Sequence, residues 1–287
     1  MTLKRSTSNK SSHSRIATLH DCERRFYHEY VEMLEPNEPN ALKHMGGVLH
    51  VGFSAIYSGF SIDAVKEAAA TEWGNARFHG DFSWATLGHA QVVLHNYADY
   101  WKRLGDDWEV IQVTPPDKQL ECIINGVGPM LITPDLVVRQ SDGLRVVDHK
   151  TTSSYLGGKL YTRMKFGHQL RVYALGLQNV LQEPIVGGIC NAVHMGEKAA
   201  SASTKAKLFD RFSFDYTEAD FEETRNWLRA GRHKEALLSE RHIDDGGIFY
   251  AQNPSDACSW CDFNKLCERP ARLRPGIVKM HYRRRET

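Results

Sequence analysis

The amino-acid sequence predicts an α/β fold, in which a mixed, twisted sheet is flanked by helices and preceded by a helical region. Apolar residues recur at helical spacing through much of residues 14–107. From Trp108 the pattern changes to short β-rich runs separated by Pro-Pro, Gly-Val-Gly and Ser-Asp-Gly turn signals. A helical run and two further strand runs follow, and this alternation indicates helices layered on a sheet.

Helical periodicity locates the elements of the first third. Ser11, Ser12 and Ser14 are candidate N-caps of a helix through RIATLHDCERRFYHEYVEML, which is predicted to end before Pro36. A second helix is predicted to begin near Gly46 and to include VLHVGFSAIYSGF. The segments IDAVKEAAATEW and ATLGHAQVVLHNYADYWKRL have the same period and are also predicted to be helical.

Strands dominate the middle of the chain. The predicted meander consists of EVIQV, KQLECIING, PMLITPDLVVRQ and LRVVDHKT. The helical run FGHQLRVYALGLQNVL separates it from two later strands, PIVGGICNAVHM and RFSFDY. Thr217 and Asp220 resemble a capping box, which predicts a helix from about Glu218 to Leu238.

The charges are nearly balanced, with 36 Lys and Arg against 35 Asp and Glu. A nucleic-acid surface would therefore have to come from local clusters of cations. The N-terminal MTLKRSTSNKSSH lacks the apolar stretch of a signal peptide, and no window approaches the length of a membrane span. We therefore expect a cytoplasmic protein, in which the six cysteines are ligands or buried thiols rather than disulfides.

Two aspartates and a lysine are predicted to meet at one edge of the sheet. Asp135 ends one strand run and Asp148-His149-Lys150 ends the next, with a Ser-Asp-Gly turn between them. A hairpin of this size returns both strand ends to the same edge. Because residues two apart on a strand share a face, Asp148 and Lys150 point together while His149 points away.

These residue types suit the hydrolysis of phosphodiester bonds. Aspartates supply hard oxygen ligands for Mg²⁺ or Mn²⁺, which neutralise charge in the transition state and acidify a water. A lysine beside the metal orients or deprotonates that water if burial lowers its pKa, and otherwise it stabilises developing negative charge. The alternative interpretation is a surface hairpin with ordinary charges at its ends.

Three cysteines near the end of the chain have the spacing of metal ligands. Cys258, Cys261 and Cys267 form C-x2-C-x5-C, a density of thiols that seldom serves a core. Tetrahedral coordination needs a fourth ligand, and Cys22 is the natural candidate because the other two cysteines lie in apolar strand runs. Four thiolates suit either an iron-sulfur cluster or zinc.

The acidic and lysine residues resemble the motif of the PD-(D/E)xK nuclease superfamily, with Pro134-Asp135 and Asp148-His149-Lys150 as its two parts. Gly47-Val48-Leu49-His50 resembles the G-x-x-H element of the RecB-like branch, in which the histidine ligates the metal. Gln169-Leu170-Arg171-Val172-Tyr173 resembles its Q-x-x-x-Y element, whose two polar residues share a helix face. His149 departs from the family pattern, which usually has an aromatic or aliphatic residue there.

The resemblance implies a restriction-endonuclease-like fold and a metal-dependent nuclease. The implied ligands of Mg²⁺ or Mn²⁺ are His50, Asp135, Asp148 and His149, the last through its carbonyl, with contact by its side chain left open. The implied catalytic residues are Asp135, Asp148, Lys150, Gln169 and Tyr173. In this scheme Lys150 positions the attacking water, and the glutamine and tyrosine support the site or touch DNA.

The cysteines resemble the iron-sulfur clasp of RecB-like nucleases, including AddB-type subunits and CRISPR-associated RecB-like exonucleases. One cysteine near the start of the chain and three near its end form that pattern. The resemblance implies a four-iron, four-sulfur cluster held by Cys22, Cys258, Cys261 and Cys267, with zinc as the alternative occupant. Such a cluster would connect the two chain ends and have a structural role.

The chain is accordingly predicted to form a single RecB-like nuclease domain over residues 1–287. The predicted parts are a flexible N-terminus (1–13), a helical region with the first cysteine (14–107), a catalytic sheet core (108–216), a C-terminal helix with the cysteine clasp (217–270) and a loosely ordered basic tail (271–287).

The predicted reaction is the hydrolysis of DNA by a single-strand exonuclease in phage or prokaryotic recombination, repair or CRISPR adaptation. Predicted partners are single-stranded DNA ends and proteins of those pathways. Alternatives on the same site are an endonuclease and a double-strand exonuclease. A non-catalytic iron-sulfur or zinc assembly subunit that binds DNA, or a zinc-ribbon adaptor, represents a different class.

A cationic segment follows the lysine of the motif. Lys159, Arg163 and Lys165 are predicted to lie in a loop, interleaved with Tyr155, Tyr161 and Phe166. Cations pair with phosphates and aromatic rings stack on bases, so this segment is a candidate contact for a single strand.

Overall fold

The computed structural model describes residues 11–38, 40–74, 82–105, 108–154, 156–200, 207–245, 250–269 and 271–285. Residues 1–10 of the predicted flexible N-terminus lie outside this description, as do Tyr155 of the cationic segment and residues 201–206. Residues Ser11–Ser12 form a short strand, and a helix begins at His13. No helix in the described ranges is both long and apolar enough to cross a membrane.

Helices dominate the chain up to Leu104, and strands and helices share the rest. The α-helices are α1 His13–Asp21, α2 Glu23–Phe26, α3 Ala41–Tyr57, α4 Ile62–Trp73, α5 Leu87–Leu104, α6 Gly158–Phe166, α7 Gln169–Leu181, α8 Glu218–Asp245, α9 Asn264–Cys267 and α10 Arg274–His281. The strands are β1 Ser11–Ser12, β2 Leu34–Pro36, β3 Glu109–Val113, β4 Leu120–Ile124, β5 Gly128–Ile132, β6 Leu136–Gln140, β7 Gly143–Thr152, β8 Ile185–His194, β9 Phe209–Asp215 and β10 Tyr282–Arg284. A π-helical turn, Tyr27–Val31, follows α2 directly.

Among the described residues, five strands form the main sheet, in the order β3-β6-β7-β8-β9. β6 pairs antiparallel with β3 and β7, whereas β8 pairs parallel with β7 and antiparallel with β9. The central strands β7 and β8 are largely buried, as expected for apolar strands covered on both faces. The prediction of a mixed sheet flanked by helices is confirmed.

The parallel pair of β7 and β8 requires a crossover connection, and α6 and α7 supply it. The first half of α7, from Leu170 to Leu177, is buried. Gln169 is the first residue of α7, so the crossover brings its side chain to Asp148 in β7.

The helices α3, α4 and α5 form a second layer with a shared apolar core. Met45 and Phe53 of α3, Val65 of α4 and Leu94 of α5 are fully buried in this core, which also includes Phe209 of β9. α3 and α5 approach closely at Gly52, where a Cβ atom would lie 2.4 Å from the Leu94 side chain. The absence of a side chain at this position therefore sets the contact of α3, the helix that carries His50.

The chain divides into two compact units. The first comprises Met1–Glu38, Asn125–Met130 and Arg225–Thr287, and the second comprises Pro39–Ile124 and Leu131–Thr224. The main sheet and the helices α3 to α7 belong to the second unit. The single nuclease domain over residues 1–287 stays a prediction.

Contacts within the first unit hold the basic C-terminal segment in place. α10 leads into β10, which pairs antiparallel with β2 so that Tyr282 lies opposite Pro36. The Tyr282 ring is buried against Phe263, and its hydroxyl donates to the Asp262 carbonyl at 2.7 Å. The prediction of a loosely ordered tail is therefore wrong over residues 271–285, because one buried tyrosine and a strand pairing hold it in place.

The predicted helix of the N-terminal segment is interrupted at Cys22. The backbone there is extended (φ −160°, ψ 112°), so α1 ends and α2 begins on either side of it. The amide of Arg24 donates to the Ala251 carbonyl at 2.9 Å, and its guanidinium donates to the Tyr250 carbonyl at 2.8 Å. These tertiary bonds replace part of the helical ladder, which the periodicity of the sequence does not reveal.

Two further boundaries differ from the sequence-based prediction. α3 begins earlier than Gly46, because Asn40 caps it and accepts hydrogen bonds from the amides of Leu42 and Lys43. Residues 158–166 form a helix instead of the predicted loop, since Leu160 and Met164, four residues apart, bury one face of α6.

Candidate active site

Asp135 is fixed where β6 begins. Its backbone carbonyl accepts a hydrogen bond from the amide of Thr114, which follows β3, at 2.9 Å. The β6–β7 register pairs Leu136 with Val147, so Asp135 lies beside Asp148 in the middle of β7. Its Oδ2 accepts from the His149 amide at 2.6 Å, and its Oδ1 lies 3.2 Å from His50 Nδ1.

Asp148 and Lys150 lie on one face of β7, as their spacing predicts. The Lys150 Nζ atom is 2.7 Å from Asp148 Oδ2, and both side chains are largely withdrawn from solvent. The other oxygen, Oδ1, accepts from Gln169 Nε2 at 3.1 Å. Asp148 is therefore held from two sides, by a strand neighbour and by the first residue of α7.

Gln169 and Tyr173 occupy successive turns of α7. Gln169 Nε2 also donates to the Tyr173 hydroxyl at 3.0 Å, and that hydroxyl lies 3.1 Å from Thr133 Oγ1. The residues of the Q-x-x-x-Y element thus connect Asp148 on β7 to Thr133, which precedes Pro134-Asp135. Sequence reasoning did not single out Thr133, although it adjoins the Pro-Asp pair.

A cavity of about 180 Å³ collects these groups. Its lining includes six residues singled out from the sequence: His50, Asp135, Asp148, Lys150, Gln169 and Tyr173. Thr114, Thr133 and three prolines complete it. Two carboxylates, an ammonium and an imidazole thus share one small space at the edge of the sheet.

Burial and charge set the protonation of these groups. Burial alone would raise the pKa of Asp135, but His50 and the His149 amide outweigh it and lower the pKa to about 2. Burial raises the pKa of Asp148, with Lys150 opposing and Asp135 reinforcing the shift. Burial opposes the charge on Lys150, yet Asp148 and Asp135 hold its pKa above the ordinary value. In this arrangement Lys150 is an ammonium, so the condition of a lowered lysine pKa is not met.

The His149 ring points to the other face of β7, as predicted. Its Nδ1 atom accepts from Asn191 Nδ2 at 2.8 Å, and the ring is stacked against Tyr57. Burial lowers the pKa of this ring to about 3, so it is neutral. N–H and C=O groups of one strand residue point to the same side, which places the His149 carbonyl on the side of Asp135. The carbonyl is thus better placed than the ring to act as a ligand, although that role stays a prediction.

A buried polar chain extends from His149 through the helical layer. Asn191 Nδ2 also donates to the Tyr97 hydroxyl, which lies 2.6 Å from the Tyr57 hydroxyl. Arg211 Nη2 donates to Tyr57 at 2.9 Å. The Arg211 guanidinium lies 3.4 Å and 3.5 Å from the ring centroids of two tryptophans, Trp101 and Trp108. Sequence reasoning missed this chain; its signal was a single asparagine in the otherwise apolar run of β8.

The donors of the cavity fit a hard divalent cation. Mg²⁺ usually takes only one or two carboxylates and keeps several waters, so Asp135, Asp148 and a backbone carbonyl suffice. Asp148 Oδ2 is a buried oxygen that contacts the Lys150 ammonium without hydrogen-bonding geometry, which leaves lone-pair capacity. In the described part of the chain, no three His, Cys, Asp and Glu side chains form a group that could hold one ion. His50 is instead engaged with Asp135, and its ligand role stays a prediction.

The four cysteines singled out from the sequence line a separate cavity in the first unit, here called the clasp cavity. Its volume is about 300 Å³, and its lining includes Cys22, Cys258, Cys261 and Cys267. The extended backbone at Cys22 and the turns around the other three bring these side chains to one space. None of the six cysteines, all of which the structure describes, forms a disulfide, and Cys122 and Cys190 belong to the second unit.

Two aspartates and a lysine in one cavity beside a mixed sheet form the arrangement expected of a metal-dependent nuclease. A family model of the PD-(D/E)XK nuclease superfamily matches residues 10–268. The chain therefore belongs to this superfamily and is a nuclease, and the expected restriction-endonuclease-like fold is confirmed. Nucleases of this superfamily act with divalent metal ions on nucleic acid, which agrees with the donor set of the cavity.

The solved structures that match this chain have low sequence identity to it. SSO0001 is 14% identical, with 92% of this chain and 89% of that one covered and a TM-score of 0.39. An exonuclease candidate from Eubacterium rectale is 12% identical, with 98% of both chains covered and a TM-score of 0.47. LHK-Exo, solved in complex with dAMP, is 10% identical. The match covers 74% of this chain and 95% of that one, with a TM-score of 0.33. Among curated proteins, a sequence search found no match.

Replacing Asn191 tests whether the buried polar chain stabilises the site. Asn191→Leu leaves the buried His149 Nδ1 without its donor and removes one partner of Tyr97. We expect the free energy of unfolding to fall by about 1–3 kcal/mol, the cost of buried polar groups that lose their partners. Urea denaturation followed by circular dichroism measures this change.

Asn96→Leu, at a half-exposed position of α5, is the matched control and is expected to change stability by no more than about 0.5 kcal/mol. Equal effects of the two substitutions would show that the hydrogen bonds of Asn191 do not stabilise the fold.

Proposed function

We propose that this nuclease is a RecB-like exonuclease that hydrolyses single-stranded DNA from its ends with Mg²⁺ or Mn²⁺. The convergence of Asp135, Asp148 and Lys150 in one cavity is the observation that carries the proposal. The G-x-x-H and Q-x-x-x-Y elements supply His50, Gln169 and Tyr173 to that cavity, which supports the RecB-like branch.

The residues of the cavity have distinct roles in this proposal. Asp135, Asp148 and the His149 carbonyl would hold a divalent ion, which supplies Lewis acidity and lowers the pKa of a bound water. Lys150 donates hydrogen bonds as an ammonium, so it orients the water and stabilises charge that develops on the phosphate oxygens. Water adds to phosphorus while the bond to the leaving oxygen breaks, and that oxygen acquires a proton.

Gln169 and Tyr173 act as positioning residues. Gln169 fixes the Asp148 carboxylate from the α7 side, and Tyr173 fixes the Gln169 amide. A carboxylate held at both oxygens presents its remaining lone pairs in one direction, which is the pre-organisation that catalysis requires.

We infer the preference for single strands from the resemblance of the G-x-x-H and Q-x-x-x-Y elements to RecB-like exonucleases. Proteins of recombination, repair or CRISPR adaptation are the partners that we infer for such an enzyme.

We also propose that the clasp cavity holds a four-iron, four-sulfur cluster. The four cysteines that the resemblance assigns to the cluster line one cavity of about 300 Å³, which supports this proposal. Four thiolates also suit a single zinc ion, which is the alternative occupant.

Digestion of DNA with matched lysine variants tests the proposed activity. Lys150→Ala is expected to lower Mg²⁺- or Mn²⁺-dependent cleavage of end-labelled single strands by about 10²–10³-fold, because it removes a charge beside the reacting phosphate. Lys102→Ala, at an exposed position of α5, is expected to cleave like the wild type. EDTA is expected to stop DNA cleavage by both variants.

The form of the DNA separates the alternatives. Degradation of linear single strands with circular single strands intact supports the exonuclease, whereas cleavage of circles identifies an endonuclease. Faster degradation of linear duplex identifies a double-strand exonuclease. DNA binding by the wild type without any metal-dependent cleavage would contradict the enzyme and favour a non-catalytic assembly subunit.

Metal analysis of cysteine variants tests the clasp. Protein purified without oxygen is expected to contain about four iron ions per chain and to absorb visible light through thiolate-to-iron charge transfer. Cys261→Ser is expected to lose both, because it removes one ligand of the clasp cavity. Cys122→Ser, at a buried cysteine outside that cavity, is the control and is expected to retain both. A colourless protein with about one zinc ion per chain would replace the cluster with a zinc site.

A further inference from the structure

The segment from Lys150 of the motif to the end of α7 carries cationic residues and no acidic ones. Residues 149–182 contain five cationic residues, namely Lys150, Lys159, Arg163, Lys165 and Arg171, and no Asp or Glu. The whole chain has a formal net charge of only +1, so this segment is a local exception. Local clustering of this kind is what a nearly neutral protein needs in order to attract a polyanion.

α6 displays most of this charge to solvent. Leu160 and Met164 turn inward, whereas Lys159, Arg163 and Lys165 are exposed. Among the residues that the structure describes, none of these three cations forms an ion pair with a carboxylate. Their charge is therefore available to an external anion.

Two aromatic side chains accompany the cations. Phe166, the last residue of α6, is 68% exposed, and Tyr161 is 38% exposed. The Lys165 Nζ atom lies 5.9 Å and 5.6 Å from the Tyr161 and Phe166 ring centroids. A phenylalanine side chain with this exposed fraction contributes little hydrophobic stabilisation to the fold. Its flat ring beside a cation suits the stacking of a nucleic-acid base.

The sheet register places α6 on the face that carries Asp148. Asp148 pairs with Cys190 on β8, and Cys190 pairs with Phe212 on β9, so the three side chains share one face. Tyr161 packs against Phe212 at a centroid distance of 5.5 Å. Two strand spacings separate Asp148 from Phe212, which amounts to about 10 Å. α6 therefore packs on the sheet face that carries Asp148, two strands away from that residue.

We propose that the exposed side of α6 binds the unpaired strand that leads to the cavity. Phe166 stacks on a base, and Lys159, Arg163 and Lys165 pair with phosphates. Stacking on a side chain requires a base without a pairing partner, so the surface selects single strands over duplex. This inference rests on the proposed function, because it assigns the substrate contact of the same site.

Binding of labelled oligonucleotides to the full chain tests the surface. Fluorescence anisotropy in EDTA measures Kd without cleavage, for one single strand and for the corresponding duplex. Phe166→Ala is expected to raise Kd for the single strand by about 5- to 150-fold, the value of one lost base stack, and to leave duplex binding unchanged. The matched control is Phe60→Ala, since Phe60 is 61% exposed at a position outside α6.

Salt dependence tests the cations separately. The triple variant Lys159→Gln, Arg163→Gln and Lys165→Gln is expected to reduce the slope of log K against log salt by about 2, at about 0.7 for each single-strand phosphate contact. A second triple variant, Lys66→Gln, Lys102→Gln and Lys118→Gln, removes equal charge elsewhere in the second unit and is expected to leave the slope nearly unchanged.

The outcomes separate this inference from the proposed function. Equal Kd values for Phe166→Ala and Phe60→Ala, or equal losses for single strand and duplex, would overturn the α6 surface. If the wild type still degrades single strands with Mg²⁺ in that case, the exonuclease proposal stands. Absence of metal-dependent cleavage by the wild type would instead overturn the function, whatever α6 binds.

Discussion

The hydrogen bond from the His149 amide to Asp135 is the interaction on which the rest of the site depends. At 2.6 Å it joins the residue before β6 to the second half of β7, beyond the last pair of the β6–β7 ladder. It holds two carboxylates near each other in a buried space, where each needs compensation. His50 compensates Asp135, while Lys150 and Gln169 compensate Asp148.

The two faces of β7 have different surroundings: one faces the cavity, and the other packs against buried polar residues. One face presents Asp148 and Lys150 to the cavity, and α6 and its exposed cations lie farther along that face. The other face buries the His149 ring against Asn191 and a polar chain that ends at Arg211. The backbone at residue 149 is therefore fixed from behind, while its amide and carbonyl remain directed toward Asp135. Rigid support of this kind is what a site on a strand offers over one on a loop.

The sequence predicted the parts of this arrangement that follow from local periodicity. Hairpin length placed Asp135 beside Asp148, strand alternation paired Asp148 with Lys150, and helical spacing paired Gln169 with Tyr173. It did not predict the break at Cys22 or the order of the C-terminal segment, since both depend on hydrogen bonds between residues far apart in the chain. It missed α6 because only one short apolar pair marks that helix. The Asn191 chain arises only when β8 and α5 come together.

A crystal soaked with Mn²⁺ and measured for its anomalous scattering tests the central claim most directly. The account predicts an anomalous peak at coordination distance, about 2.0–2.2 Å, from one oxygen each of Asp135 and Asp148. Asp148→Asn is expected to lose that peak under the same soak, while the fold is kept. A peak at other residues only, or none at a concentration that supports cleavage, would contradict the assignment of this cavity as the catalytic centre.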